Sequence, residues 1–248
     1  MLIQPTIEKM KVLKLFGMAR ALETQLELKE ARELSFEDRL ALLLDAEVLE
    51  KENKGIKSRL NSAKLRLAAC LEDLKVKASR GIDNATVTNL ASCDWIRNKR
   101  NLAITGATGA GKTYLACALA NQACRKGYTV AYHRATTLFD DLVVAKGDGR
   151  YKTIFTTIAS RKLIILDDFG LEKLTAENRR DLLEIMERRY NSGSTIITSQ
   201  LEVEHWHGVI GDPTLADAIL DRFVHNSLEL KIKGEQGQSM RKNQKIET

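Results

Sequence analysis

The segment Gly106-Ala107-Thr108-Gly109-Ala110-Gly111-Lys112-Thr113 constrains this chain more than any other. It has the form G-x-x-x-x-G-K-[ST] and follows the apolar run Leu102-Ala103-Ile104. It leads into a stretch where Leu115 and Leu119, and Ala116 and Ala120, recur at four-residue spacing. A strand, a glycine-rich turn and a helix in that order make a βα unit of a parallel sheet. Glycines 106, 109 and 111 open turn conformations closed to other residues, so successive backbone N–H groups can converge on one anion. Small residues along the helix permit close packing on the sheet, and Gly127 can end it. The loop is a mould for phosphate. Lys112 would neutralise the β- and γ-phosphates of a nucleotide, Thr113 would hold Mg²⁺, and the positive end of the helix faces the same anion. The expected nucleotide contacts are Gly106, Ala107, Thr108, Gly109, Ala110, Gly111, Lys112, Thr113 and Tyr114.

A second motif follows at the right distance. Lys162-Leu163-Ile164-Ile165-Leu166-Asp167-Asp168 is an apolar run of the kind buried on both faces of a parallel sheet, and it ends in two carboxylates. Asp167 would hold the metal, and Asp168 would orient and deprotonate the water that attacks the γ-phosphate. Taken singly, a glycine-rich turn fits a nucleotide-free fold, and two acids fit a solvated turn. Both motifs in this order and spacing point to ATP hydrolysis with Mg²⁺.

The elements around them alternate. Strands are expected at 102–105, 129–133, 163–167, 195–199 and 228–232, and helices at 137–145, 151–160, 175–191 and 214–224, with Leu182, Leu183, Met186 and Tyr190 turned inward. This pattern gives an α/β fold, a P-loop parallel sheet sandwiched by helices. Ligands of such sheets bind at the carboxyl ends of the strands, where both motifs lie.

Three helical segments precede this core and suggest a small all-α N-terminal domain over residues 1–80. The first opens at Pro5-Thr6, with Leu15, Met18, Ala19, Leu22 and Leu26 on one side. The second has Ser35 as its cap and Phe36, Leu40, Leu43, Leu44 and Val48 as a buried stripe. The third is the basic segment up to about Gly81. A connector over 81–100, a core over 101–233 and a polar tail over 234–248 complete the division.

Charge adds a partner. The formal net charge is +6, and residues 54–80 carry eight basic side chains against two acidic ones, so that segment holds the whole excess. A concentrated basic segment is the footprint of a polyanion, and Lys57, Arg59, Lys64 and Arg66 are the candidate DNA contacts. With few aromatics among them, they would grip phosphates of duplex DNA with little regard to sequence. A solvated helix face is the competing reading. No apolar stretch approaches a bilayer span, and the start of the chain lacks a secretory pattern, so no membrane association is expected. Cys70, Cys93, Cys117 and Cys124 show no ligand spacing and read as buried thiols of a cytoplasmic chain. His205 and His207, flanking Trp206, read as loop or interface residues.

With these motifs in hand, the chain resembles the IstB family of insertion-sequence ATP-binding proteins, relatives of the DnaC helicase loaders and DnaA initiators in the AAA+ superfamily. LKLFGMARALETQL, GATGAGKTYLACALA, LIILDDFG, ERRYNSGSTIITSQ, EHWHGVIGDPTLADAILDRFVH and GQSMRK carry the likeness across nearly the whole chain. The resemblance implies a polar sensor at Ser199 or the adjoining Thr198, placed to bond the γ-phosphate or the attacking water. It also implies that Arg222 enters a neighbouring subunit's site, whereas a helix-end salt bridge would otherwise be the simpler reading of that arginine. Arg241 fits a C-terminal arginine motif of unassigned role. Ala107, Ala110 and Gln200 depart from residues common in relatives. Asp168 stands where many AAA+ enzymes have Glu, a shorter reach that suggests slow, partner-dependent turnover.

The implied function is an ATP-dependent DNA-binding regulator, self-associating with ATP and assisting the transposase of its own element. In that role it would be a bacterial cytoplasmic protein, nucleoid-associated when on DNA. A DnaC-like helicase loader is the alternative, and a small-molecule kinase is disfavoured by the lack of a second basic substrate site in the sequence.

Overall fold

The five expected strands form one parallel sheet in the order β2-β3-β4-β1-β5. These strands are β1 (Asn101–Gly106), β2 (Val130–Arg134), β3 (Leu163–Phe169), β4 (Ser194–Ser199) and β5 (Ser227–Ile232). The computed structural model describes residues 3–74 and 81–233. Arg241, the rest of the polar tail, and Lys75, Lys77 and Arg80 of the basic segment lie outside the described residues.

Strands β1, β3 and β4 alternate their side chains between two cores because the side-chain period of a strand is two residues, whereas β5 turns Glu229 and Lys231 to solvent. Leu102, Ile104, Leu163, Ile165 and Ile196 face α6 (Lys112–Arg125) together with α4 (Asn84–Ala91) and α5 (Asp94–Arg97). Ala103, Ile164, Leu166 and Ile197 face α7 (Ala135–Asp148), α8 (Tyr151–Ser160), α9 (Ala176–Arg189), α10 (Trp206–Ile210) and α11 (Pro213–Val224). The sandwich expected from the alternating pattern is therefore present, and α6 ends before Gly127, which adopts φ +93°. The expected connector is more ordered than its mixed composition suggested. Asp83 caps α4 through the Thr86 amide, and Leu90, Cys93, Trp95 and Ile96 are buried.

Contacts divide the chain between Ser58 and Arg59. In the first unit the expected opening helix is two: α1 (Gln4–Val12) and α2 (Phe16–Glu27), broken where Lys14 takes φ +60°. The buried Glu47 carboxylate accepts the Gly17 (2.8 Å) and Met18 (3.2 Å) amides, satisfying donors that a helix start leaves open. The second and third expected helices are instead one, α3 (Phe36–Ala63). Ser35 caps it by accepting the Asp38 amide at 3.1 Å. The buried stripe expected on it is corrected: Leu43 is buried, while Phe36 (73% exposed), Leu40, Leu44 and Val48 are not. Ile7, Ala19 and Leu22 bury only that one residue of the five, since two short helices offer too little apolar surface for the rest.

The expected basic helix up to Gly81 is also corrected. Helix α3 stops at Ala63, Lys64 takes φ +50°, and residues 65–74 continue without helix. Leu65, Leu67, Ala69 and Leu71 pack on Cys117 and Ala118 of α6 and on Tyr114 and Tyr132. Apolar residues at alternate positions drew this stretch onto the core instead of letting it stay a charged helix. Among the described residues, no helix is long and apolar enough to cross a membrane.

Candidate functional site

The phosphate loop leaves β1 at Gly106, where the chain runs so close to β5 that a Cβ would stand 2.1 Å from the Ile232 carbonyl oxygen. Gly106, Gly109 and Gly111 adopt φ +148°, +80° and +95°, values that side-chain-bearing residues rarely take. Lys112 opens α6 and is 6% exposed. Its ammonium donates to the carbonyls of Gly106 (2.7 Å) and Ala107 (2.9 Å), so the lysine lies across the loop it serves. Burial lowers its pKa, and the nearby Asp168 and Asp167 carboxylates oppose that shift. Ala107 and Thr108 are exposed at the tip of the loop, and Ala110 is buried beneath it. Tyr114 turns its hydroxyl to the Cys70 carbonyl (3.5 Å).

Asp167 sits at the end of β3, wholly buried, and gathers hydroxyl donors from three elements. Thr113 approaches its two oxygens at 2.9 and 3.0 Å, Thr198 donates to Oδ1 at 2.5 Å, and Tyr132 donates to Oδ2 at 2.6 Å. Burial and this acceptor push the Tyr132 phenol pKa up. Between Leu166 and Phe169 the pairing of β3 with β4 shifts register, and Asp168 takes φ +60°. Bulges of this kind re-aim side chains beside active sites. Here the bulge turns Asp168 outward while its amide donates to Thr198 Oγ1 at 3.0 Å. Arg134 Nε lies 3.2 Å and Arg66 Nη1 3.4 Å from Asp168, and Arg66 Nη1 is 3.5 Å from Asp167.

The oxygen donors fit a magnesium ion. Thr113 and Asp167 are hard ligands already within hydrogen-bond distance of one another, beside a loop shaped for phosphate. Magnesium takes one or two protein oxygens and completes its shell with water and phosphates.

Of the expected site residues, Lys112, Thr113, Asp167 and Asp168 are brought together. Thr198 joins them, whereas Ser199 does not. The Ser199 hydroxyl is fully buried, donates to the Phe169 carbonyl (2.8 Å) and accepts the Leu201 amide (3.1 Å). Arg222 lies at the other end of the sheet. The carbonyls of Arg222 and Phe223 accept from Asn101, the first residue of β1. Five residue steps along that strand, roughly 17 Å, separate it from Gly106. The Arg222 guanidinium bonds Glu187 (3.0 Å) and the Ala218 carbonyl (2.7 Å).

The four candidate DNA contacts do not share a helical face. Lys57 and Lys64 are exposed, Arg59 donates to the Cys124 carbonyl (2.7 Å), and Arg66 reaches the acids. Tyr132 and Arg134 went unnoticed in the sequence. Their signal is positional, since β2 pairs with β3 and sets Arg134 opposite Asp167. Of the two histidines expected in a loop or interface, His207 lies in α10, whose first residue, Trp206, is buried against Phe169 and Phe223 at centroid distances of 5.1 and 5.5 Å. Tyr190, expected inward, is half exposed. Cys93, Cys117 and Cys124 are buried as expected, and burial pushes the Cys93 and Cys124 thiols up to about 11.

The sequence profile of the IstB-like ATP binding proteins matches residues 8–248. This chain belongs to that family. An insertion sequence ATP-binding protein of Sinorhizobium fredii is 46% identical over 245 residues, covering 99% of both chains. The IS1162 ATP-binding protein of Pseudomonas fluorescens is 46% identical over 202 residues, or 81% of this chain and 87% of the relative. Among solved structures, the DnaC helicase loader aligns with TM-score 0.56 at 21% identity, covering 69% of this chain and all of that one. DnaA bound to AMPPCP and single-stranded DNA aligns with TM-score 0.57 at 20% identity, covering 69% and 52%. These likenesses give the fold, that of AAA+ P-loop domains.

Proposed function

We propose that this IstB-family chain is an ATP-driven switch that assembles on duplex DNA and assists the transposase of its own insertion sequence. The observation that carries the reading is the meeting of the phosphate loop, Thr113 and the buried Asp167 at the carboxyl end of the sheet. Lys112 exchanges its two loop carbonyls for β- and γ-phosphate oxygens, a substitution that keeps a buried ammonium satisfied. Thr113 and Asp167 would hold magnesium, which when bound would offset charge developing on the phosphates.

Asp168, turned outward by the bulge, accepts the proton of the attacking water. Thr198 spans both acids through one hydroxyl and takes the sensor role, while Ser199 stabilises the strand end. Arg222, on α11 beside the first residue of β1, is too far from its own phosphate loop to serve it. Its guanidinium acts in the site of a second copy, leaving Glu187 to do so. ATP thereby favours assembly, and hydrolysis releases it because the γ-phosphate contacts are lost.

DNA is held through its phosphates by the exposed Lys57 and Lys64. An assembly neutralising about six phosphates would give a log affinity against log salt slope of roughly −5. The setting is the bacterial cytoplasm, at the nucleoid when DNA is bound.

The test is to size the protein with duplex DNA under ATP, ADP and no nucleotide. Larger assemblies with ATP alone are expected, and Arg222→Ala should abolish them. Identical sizes in all three conditions would refute the switch.

A further inference from the structure

Arg66 is the one candidate DNA contact that points at the acid pair. It follows the left-handed turn at Lys64, on a stretch held to α6 by Leu65, Leu67 and Ala69. Its guanidinium stands 3.5 Å from Asp167 Oδ2 and 3.4 Å from Asp168 Oδ2, yet the side chain is 42% exposed. The Tyr132 hydroxyl donates to the same Asp167 Oδ2 at 2.6 Å, so phenol and guanidinium meet at one carboxylate oxygen. Asp167 is thus surrounded by the hydroxyls of Thr113, Thr198 and Tyr132, with the half-exposed Arg66 guanidinium as the cation beside it.

Magnesium demands near-ideal octahedral oxygen ligation at about 2.1 Å. A guanidinium bonded to the same carboxylates obstructs that shell and repels the ion. We propose that Arg66 sets the magnesium requirement of the site: its guanidinium and the metal compete for Asp167 and Asp168, so nucleotide loads fully only when magnesium has displaced the arginine. The inference rests on the nucleotide reading above and adds a positioning residue that holds the acids until the metal arrives. It also ties the site to residues 64–71, since the displaced side chain must find another partner, and a DNA phosphate is suitable.

The experiment titrates free magnesium against binding of a fluorescent ATP analogue to the full chain, comparing the unsubstituted protein with Arg66→Gln and Arg66→Lys. With magnesium chelated, all three should bind the analogue within about twofold of one another, because the phosphate loop is untouched. The magnesium concentration for half-maximal binding should fall about three- to tenfold in Arg66→Gln, with Arg66→Lys between the two. Thermal melts check that the variants fold, and the exposure of the side chain makes that the expected result. An unchanged or higher magnesium midpoint in Arg66→Gln overturns competition, as does a loss of magnesium-free binding, which would make Arg66 a direct phosphate ligand. Failure of the unsubstituted protein to bind the analogue at any magnesium concentration would overturn the nucleotide reading as well.

Discussion

Replacing Thr198 with Val separates the two sensor assignments because the change keeps volume and removes one hydroxyl. That hydroxyl donates to Asp167 at 2.5 Å and accepts the Asp168 amide at 3.0 Å, and the residue is fully buried. A hydrogen bond to a charged group contributes about 1.5–3 kcal/mol and a neutral one about 0.5–1.5 kcal/mol. Asp167 keeps the Thr113 and Tyr132 donors, so the loss is partial. The sum is about 2–4 kcal/mol, which for a chain of this size lowers Tm by roughly 5–15 °C. Ser199→Ala loses only bonds to the Phe169 carbonyl and the Leu201 amide and should cost about 1–2 kcal/mol. The assay pairs thermal melts with phosphate release from ATP, measured well below both midpoints. Thr198→Val should release phosphate at least tenfold more slowly than Ser199→Ala, about 1.4 kcal/mol of lost transition-state stabilisation. If Thr198→Val melts within 2 °C of the unsubstituted chain, on a scale where about 1 kcal/mol moves Tm by roughly 2–4 °C, and turns over normally, the hydroxyl does not organise the acids.

Two further outcomes are expected. Trp206→Ala empties a fully buried position between Phe169 and Phe223 and strands the Leu201 carbonyl that accepts its indole N–H. The cost is about 3–5 kcal/mol, or a Tm lower by roughly 10 °C, and a shift of only a degree or two would refute the packing account. His133 has its pKa lowered by burial, with Asp141 opposing and Lys64, Arg161 and Arg189 assisting. The unfolded chain therefore binds the proton first, and stability should decline as pH falls from the ordinary 6.5 through the lowered folded value. Denaturant titrations across that range should show the decline flattened in His133→Gln; an unchanged slope would assign it to other groups.

The core of the fold was legible because β1 and β3 carry nearly uninterrupted apolar runs directly beside the two motifs, and helical stretches alternate with the remaining strands. Helix α8 was expected around Tyr151 to Ser160 and has those bounds. The phosphate loop was legible for a different reason: three glycines and a lysine leave the backbone few alternatives. What failed was the N-terminal region. Helical periodicity identifies an apolar face but not what covers it, so Phe36 and Val48 looked buried when only Leu43 is. The basic segment misled because charge dominates its composition, while the alternating Leu65, Leu67, Ala69 and Leu71 determine where it packs. Ser199 and Thr198 are neighbours on one strand and point to opposite faces. Which of them meets the acids depends on the register shift in β3, a tertiary feature with no local signature.

The most direct test of the whole account is ATP affinity in Lys112→Ala, by calorimetry with magnesium present. The lysine is buried across the phosphate loop and held by two carbonyls, so its removal takes away the charge that answers the phosphates while leaving the sheet intact. Affinity should fall at least a hundredfold, about 2.7 kcal/mol, with a melt little changed. ATP bound as tightly by Lys112→Ala as by the unsubstituted protein would contradict it.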